Sequence, residues 1–149
     1  SAASDVYKRQ IVNSPVANTL MAALPKDLRQ VMKSVTKYTD NVAGNTGDVA
    51  GNVSSSVDYL FRFAEKEIYG GSRTYANSYE GGYQEQYQYF KAGNNKQLYR
   101  HDSRGTADWA PLRSPYYYYF NFFSAVGAGG GVNNYNANNC GGLFAGFTV

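Results

Sequence analysis

The sequence predicts an α+β domain, with helical segments first and a β-rich half after them. Three observations carry this. Apolar residues recur at helical spacing between Leu20 and Val35, and again between Tyr83 and Phe90. From Trp109 onward, short apolar runs alternate with glycine and asparagine clusters, the punctuation of strands and turns. The 149 residues include 16 glycines, which favours many turns over long helices. One domain is expected at that length, and its core is readily buried.

Ser14-Pro15 predicts a helix start, with Ser as N-cap and Pro at the first helical position. Leu20, Met21 and Leu24 follow, and Pro25 punctuates. Asp27, Leu28, Val31, Met32 and Val35 continue as a second short helical stretch. Residues 31–39 shift to β-branched alternation and read as a strand. Residues 40–56, rich in Gly, Asn, Ser and Val, have no core pattern and predict a long, flexible surface loop. Val57 to Phe63 reads as a strand, with Tyr59, Phe61 and Phe63 on one face and Leu60 and Arg62 on the other. Ala64 to Tyr69 predicts a helical turn closed by Gly70-Gly71.

Glu80 to Ala92 places Tyr83, Tyr87 and Phe90 at i, i+4 and i+7, an amphipathic helix ended by Gly93. Lys96 to Arg100 predicts a short strand. Four more strands are expected around Trp109–Arg113, Phe122–Val126, Val132–Ala137 and Leu143–Val149, with Gly127 to Gly131 as a hairpin turn. Phe123, Val126, Ala137, Leu143 and Phe147 are the expected core of that half.

Several chemistries find no support. The net charge of +3 is too small, and the basic residues too scattered, for nucleic-acid binding. No apolar run reaches the length of a membrane helix. Cys140 is the one cysteine, so no intrachain disulfide framework is expected, and its neighbours supply no base or positive field to activate a thiol. His101 has only Asp102 beside it and no spaced partner, so neither a metal site nor a catalytic histidine is expected. Glu65 and Glu67, two apart on a helix, point to different faces and read as a solvated turn. The glycines at 127–131 lack the following Lys-Ser/Thr of a phosphate loop. No cofactor is implied.

The aromatic and asparagine clusters stand out. From Ser114 to Val149 there is no Asp, Glu, Lys or Arg. Tyr116, Tyr117, Tyr118 and Tyr119 are consecutive, and Asn133, Asn134, Tyr135, Asn136, Asn138 and Asn139 form a second cluster. Tyrosine offers wide amphipathic contact area with few rotors, and asparagine offers adaptable hydrogen bonds. Strand side chains alternate, so four consecutive tyrosines cannot all point inward. Arg113, the last charged side chain, is expected to pack its stem and bridge loop carbonyls.

The first ten residues resemble the translation of a transposase adapter used in sequencing libraries and are set apart from the fold, which is expected to occupy residues 11–149. Without them the net charge falls from +3 to +2, through loss of Asp5, Lys8 and Arg9.

Leu112-Arg113-Ser114-Pro115-Tyr116-Tyr117, with Phe123, Val126, Gly130, Ala137, Gly142 and the ending Gly146-Phe147-Thr148-Val149, resembles an uncharacterised domain family marked by a "WWLRSP" motif, common in gut bacteria and their phages. Leu24-Pro25-Lys26-Asp27-Leu28, Val35 to Thr39, Leu60-Phe61, Glu65 to Gly70 and Tyr89 to Asn94 are similar to that family's upstream motifs, so the likeness spans about residues 20–149. One departure is local: Ala110 and Pro111 stand where the family has paired tryptophans, and Trp109 lies one place earlier. The family's N-terminal strands also lack a counterpart, which implies N-terminal truncation.

The resemblance implies a C-type-lectin-like fold, shared with formylglycine-generating enzymes and with the variable proteins of diversity-generating retroelements. The enzyme branch uses active-site cysteines and the calcium lectins use Glu-Pro-Asn or Gln-Pro-Asp; neither is present here. The retroelement branch fits better, because residues 116–141 contain only residue types reachable by adenine mutation of asparagine codons. The expectation is a non-enzymatic recognition domain on a phage tail or bacterial cell surface, binding a host-surface protein or glycan, within a larger parent protein through which it could oligomerise. Tyr116 to Tyr119, Asn121, Asn133 to Asn136, Asn138 and Asn139 would form its contact face. Trp109, Leu112, Arg113, Ser114, Pro115, Phe123, Gly130, Gly146 and Phe147 would be its structural motif. A fixed carbohydrate-binding module and a structural domain of a larger surface protein stand as alternatives.

Overall fold

The computed structural model describes residues 20–41, 47–71 and 74–149. The helix start expected at Ser14-Pro15 and the ten leading residues lie outside them. Helix and sheet are mixed, and the sheets are small. Helix α1 (Lys26–Val31) leads into strand β1 (Val35–Asp40), which pairs antiparallel with β2 (Val53–Asp58). Strand β3 (Leu60–Arg62) pairs with the distant C-terminal strand β9 (Ala145–Phe147). Helix α2 (Glu65–Tyr69) ends at Gly70, whose φ of 64° is the left-handed conformation that glycine tolerates best.

Helix α3 (Gln88–Lys91) precedes the short pair β4 (Leu98–Tyr99) and β5 (Ala107–Asp108). Strands β6 (Ala110–Pro115), β7 (Phe122–Val126) and β8 (Val132–Asn136) then form an antiparallel meander. The β7–β8 turn is the expected glycine hairpin: the Gly127 amide donates to the Gly131 carbonyl at 2.8 Å.

Ile68 of α2, Phe90 of α3, Leu112 of β6 and Val126 of β7 form the buried core, with Phe63, Tyr69, Tyr87 and Phe144 packed around it. Phe63 is its hub, making edge contacts with Phe61, Tyr87, Phe90 and Phe144 at ring separations of 5.7, 5.3, 5.6 and 5.1 Å. Such edge-to-face contacts suit the charge distribution of aromatic rings.

Four expectations are corrected. Residues 53–58 are strand, not part of a loop over 40–56; residues 42–46 of that stretch lie outside the described residues. Serines Ser54 and Ser55 are exposed, so β2 carries little apolar pattern, and its pairing with β1 decides its conformation. The strand expected from Val57 to Phe63 breaks at Tyr59, because β2 and β3 belong to different sheets; Leu60 and Phe61 are both buried and Tyr59 is exposed.

The helix expected over 80–92 is divided into a 3-10 turn (Glu80–Tyr83), an extended stretch and α3. Gln84 Nε2 donates to the Tyr38 carbonyl at 2.6 Å and the Tyr87 amide to the Glu67 carbonyl at 3.0 Å, bonds a continuous helix would forgo. Finally, Leu143 and Phe147 are not core: they are 42% and 44% exposed, and Ala137 is half-buried. Alternation along β9 turns Gly146 inward instead.

Gly146 is needed there. A Cβ at this position would lie 2.7 Å from Phe63 Cζ and 2.9 Å from Phe61 Cε2. Gly146→Ala is expected to destabilise the fold by about 1–3 kcal/mol, the usual cost of overpacking, while Gly129→Ala, with open space around it, should change the urea midpoint little. Equal midpoints for the two variants would refute the Phe61–Phe63 packing.

Candidate functional site

Two features of the sequence converge at the end of the β6–β7–β8 meander. The tyrosine run follows β6 directly, so it occupies a loop rather than a strand. Its exposure is therefore set by the turn and not by strand alternation. The loop backbone is anchored on three sides. The Tyr116 amide donates to the Phe122 carbonyl at 2.9 Å, the Tyr117 amide to the Tyr75 carbonyl at 2.9 Å, and the Ala137 amide to the Asn121 carbonyl at 2.7 Å.

The rings pack edge-on in a chain from Tyr75 to Tyr116 (5.0 Å), Tyr119 (5.2 Å) and Phe122 (5.8 Å), with Tyr118 against Tyr119 at 5.0 Å. Tyr116 and Tyr117 are half-buried supports. Tyr118, Tyr119 and Phe120 are 56%, 49% and 61% exposed. Phe120 was not among the expected contact residues; its place in the aromatic run through Phe123 was the available signal.

The asparagines divide. The bond to Ala137 brings Asn121 beside the turn that carries exposed Asn138 and Asn139. That turn is shaped by Asn136, whose carbonyl accepts from the Asn139 amide at 3.0 Å and whose Oδ1 accepts from the Asn138 amide at 3.3 Å. Asn133 lies at the other end of β8, against the hairpin glycines, and its Nδ2 donates to the Tyr135 hydroxyl at 3.4 Å. Asn134 is half-buried, opposite Ser124. Tyr135 stacks on Trp109, which reaches across β7 to a ring separation of 4.0 Å at 24°. Trp109 thus caps the sheet, and Gly141 lies so close to its indole that a Cβ would come within 2.8 Å.

Beneath the loop lies a buried ionic network that the sequence did not suggest. Glu65 and Glu67, expected in a solvated turn, are both buried. Glu67 accepts from Lys37 Nζ at 2.7 Å, Arg113 Nη1 at 2.6 Å and the Ala64 amide at 2.8 Å. Burial alone would raise the Glu67 pKa, but Arg113 and Lys37 outweigh it and hold the carboxyl below its ordinary value. Arg113 also donates to the Arg62 carbonyl at 2.7 Å and the Tyr38 carbonyl at 3.3 Å, so it bridges strands β3 and β1 rather than the loop carbonyls expected. Lys37 donates to the Tyr87 hydroxyl at 2.7 Å and lies 3.8 Å from the centre of the Phe61 ring.

Glu65 gathers the amides of Thr74, Tyr75 and Ala76 and the Ser124 hydroxyl. Ser114, of the Leu-Arg-Ser-Pro motif, accepts from the Glu65 amide at 3.0 Å and donates to Glu80. Glu80 accepts the Asp40 amide at 3.1 Å. Burial pushes the Glu80 carboxyl up to about 7, against the pull of Arg113, Ser114 and the Asp40 amide, with the Asp40 carboxylate adding the smallest part of the rise. Glu65, Glu80, Asn77 and Gln84 also line a cleft of about 280 Å³. Among the described residues no group of three or more His, Cys, Asp or Glu is placed to hold a metal ion. His101 and Cys140 are exposed, on separate segments.

No protein-family model matches this chain, and neither curated proteins nor solved structures show a significant match. Among the described residues no helix is long and apolar enough to cross a membrane.

The network makes two predictions. Arg113→Ala leaves the buried Glu67 with Lys37 as its remaining cation and removes the bonds to the Tyr38 and Arg62 carbonyls, and should cost about 1–3 kcal/mol in denaturant unfolding. The second concerns pH. The Glu67 pKa is lowered on folding, so its contribution is present above about 4.5 and is lost as pH falls through the folded value. The Glu80 pKa is raised, so its contribution is full below about 4.5 and declines as pH rises to about 7. Glu80→Gln should therefore flatten the decline in stability between about pH 4.5 and pH 7; an unaltered slope would show that Glu80 does not titrate there.

Proposed function

We propose that this chain is a non-enzymatic ligand-recognition domain, with the β6–β7 loop as its contact face. The observation that carries this reading is the row of exposed rings, Tyr118, Tyr119 and Phe120, on backbone anchored at three points. Exposed contiguous aromatics mark interaction surfaces, and a preorganised loop spends little entropy on binding. Asn121, Asn138 and Asn139 flank the rings with amide donors and acceptors. Asn133 and Tyr135 belong to the packed sheet face and contribute less.

The buried carboxylates Glu65, Glu67 and Glu80 each accept from protein donors, which supports a scaffolding role rather than a catalytic one. The C-type-lectin-like fold, the phage-tail or bacterial-surface setting and the diversification of residues 116–141 are part of the same proposal. Their support is the motif resemblance around Leu112–Pro115 and the codon-compatible composition of the loop and hairpin.

The triple variant Tyr118→Ala, Tyr119→Ala, Phe120→Ala should keep the wild-type urea midpoint within about 1 kcal/mol of stability, since exposed side chains contribute little. Its binding to a panel of intact bacterial cells should fall at least tenfold. Unchanged binding would sink the contact-face reading. Deep sequencing of the encoding locus should show variation at codons within 116–141 other than those of Phe123 and Gly130, with Phe147 also fixed; uniform codons would remove the diversification.

A further inference from the structure

We propose that the ligand of this face is a neutral carbohydrate, stacked on the exposed Tyr118, Tyr119 and Phe120 rings and hydrogen-bonded by Asn121, Asn138 and Asn139, without a metal ion. This rests on the recognition reading above and adds the chemical class of the ligand.

Charge is the first ground. From Ser114 to Val149 there is no ionisable acid or base apart from Cys140 and the tyrosine phenols. Tyr116 is held above the ordinary phenol value, by burial first and then by Tyr117 and Tyr119. A charged ligand losing water here would meet no counter-charge from residues 114–149, whereas a neutral ligand carries no such penalty.

The composition around the rings is the second. Residues 114–142 contain no Arg, Met, Leu, Ile or Trp. Tyr, Trp, Phe, Met and Arg are enriched at protein–protein interfaces and Trp, Tyr and Arg at their hot spots, so this face has the tyrosine and phenylalanine of such an interface but none of its Arg, Met or Trp. What remains is aromatic rings and carboxamides. The C–H face of a pyranose is apolar and slightly positive, and it meets the negative face of an aromatic ring. Its hydroxyls both donate and accept, as a carboxamide does.

The geometry is the third. Tyr118 and Tyr119 meet edge to face at 84°, so this contact covers one ring face and leaves the others outside it. Phe120, the most exposed of the three, makes no ring contact among the described residues. The Ala137–Asn121 bond holds the amide-bearing turn beside the rings. Stacking and amide hydrogen bonds together require no cation.

The test titrates the full chain with hexaoses of glucose, mannose, galactose and N-acetylglucosamine, following tyrosine fluorescence and saturation-transfer NMR, with and without EDTA. In parallel, the chain is bound to bacterial envelope that has been treated with periodate, treated with protease, or left untouched. The expected result is saturable binding of at least one neutral hexaose, unchanged by EDTA and weakened at least tenfold by Tyr118→Ala with Tyr119→Ala. Asn138→Ala with Asn139→Ala should weaken it several-fold, and envelope binding should be lost after periodate. Envelope binding that survives periodate and is lost after protease overturns the carbohydrate and leaves the recognition reading standing. Hexaose binding that is abolished by EDTA, or equal in the tyrosine variant, overturns the stacking mode. Absence of binding to every hexaose and to untreated envelope overturns both readings.

Discussion

The structure depends on one buried ion triplet, Lys37–Glu67–Arg113. Each member comes from a different element: β1, α2 and β6. A buried carboxylate without its cations would be severely destabilising, so the three elements are held to one arrangement. Arg113 extends that constraint to the carbonyls of Tyr38 and Arg62, and Lys37 extends it to the rings of Phe61 and Tyr87. The irregularity in β6–β7 pairing falls between Pro111 and Pro115, around Arg113, whose amide bonds instead to the Phe63 carbonyl at 2.9 Å. Such bulges re-aim a side chain.

The triplet also explains how the aromatic loop is positioned. Ser114, next to Arg113, ties β6 to Glu65 and Glu80, and Glu65 orders the segment 74–76. Tyr75 of that segment supports Tyr116 through ring contact and accepts the Tyr117 amide. A continuous path of hydrogen bonds thus runs from the buried charges to the loop that carries the exposed rings. Buried polar residues act here as scaffold beside the apolar core while part of the aromatic set sits on the surface, a partial reversal of the usual distribution. The reversal is sustained because the buried carboxylates are multiply bonded.

The β-rich half was legible because its signals are local. The strands at 110–115, 122–126 and 132–136 each formed within one or two residues of the expected bounds, the last two joined by the glycine turn at 127–131. Helix α2 was legible from its closing glycine. The 80–92 helix was misread because Tyr83, Tyr87 and Phe90 satisfy helical spacing by coincidence. Tyr83 stacks on Tyr38 at 4.4 Å, and only Phe90 enters the core cluster. Strand β2 was missed because its serines face solvent. In the site, the tyrosine loop was visible as composition, while Glu65, Glu67 and Glu80 were not, since a glutamate in a sequence does not reveal its burial.

By itself the sequence determined the local conformations: where strands turn, where α2 ends, and that the last part of the chain is uncharged and rich in tyrosine and asparagine. These follow from backbone preference and side-chain chemistry, which each residue carries with it. Only the tertiary structure decided which carboxylates are buried, which tyrosines support and which are exposed, and which asparagines adjoin the rings. Those outcomes depend on pairings between residues far apart in the chain, such as Lys37 with Glu67 and Glu67 with Arg113. No short stretch of sequence contains both partners, so the energies that select them arise only when the chain has folded.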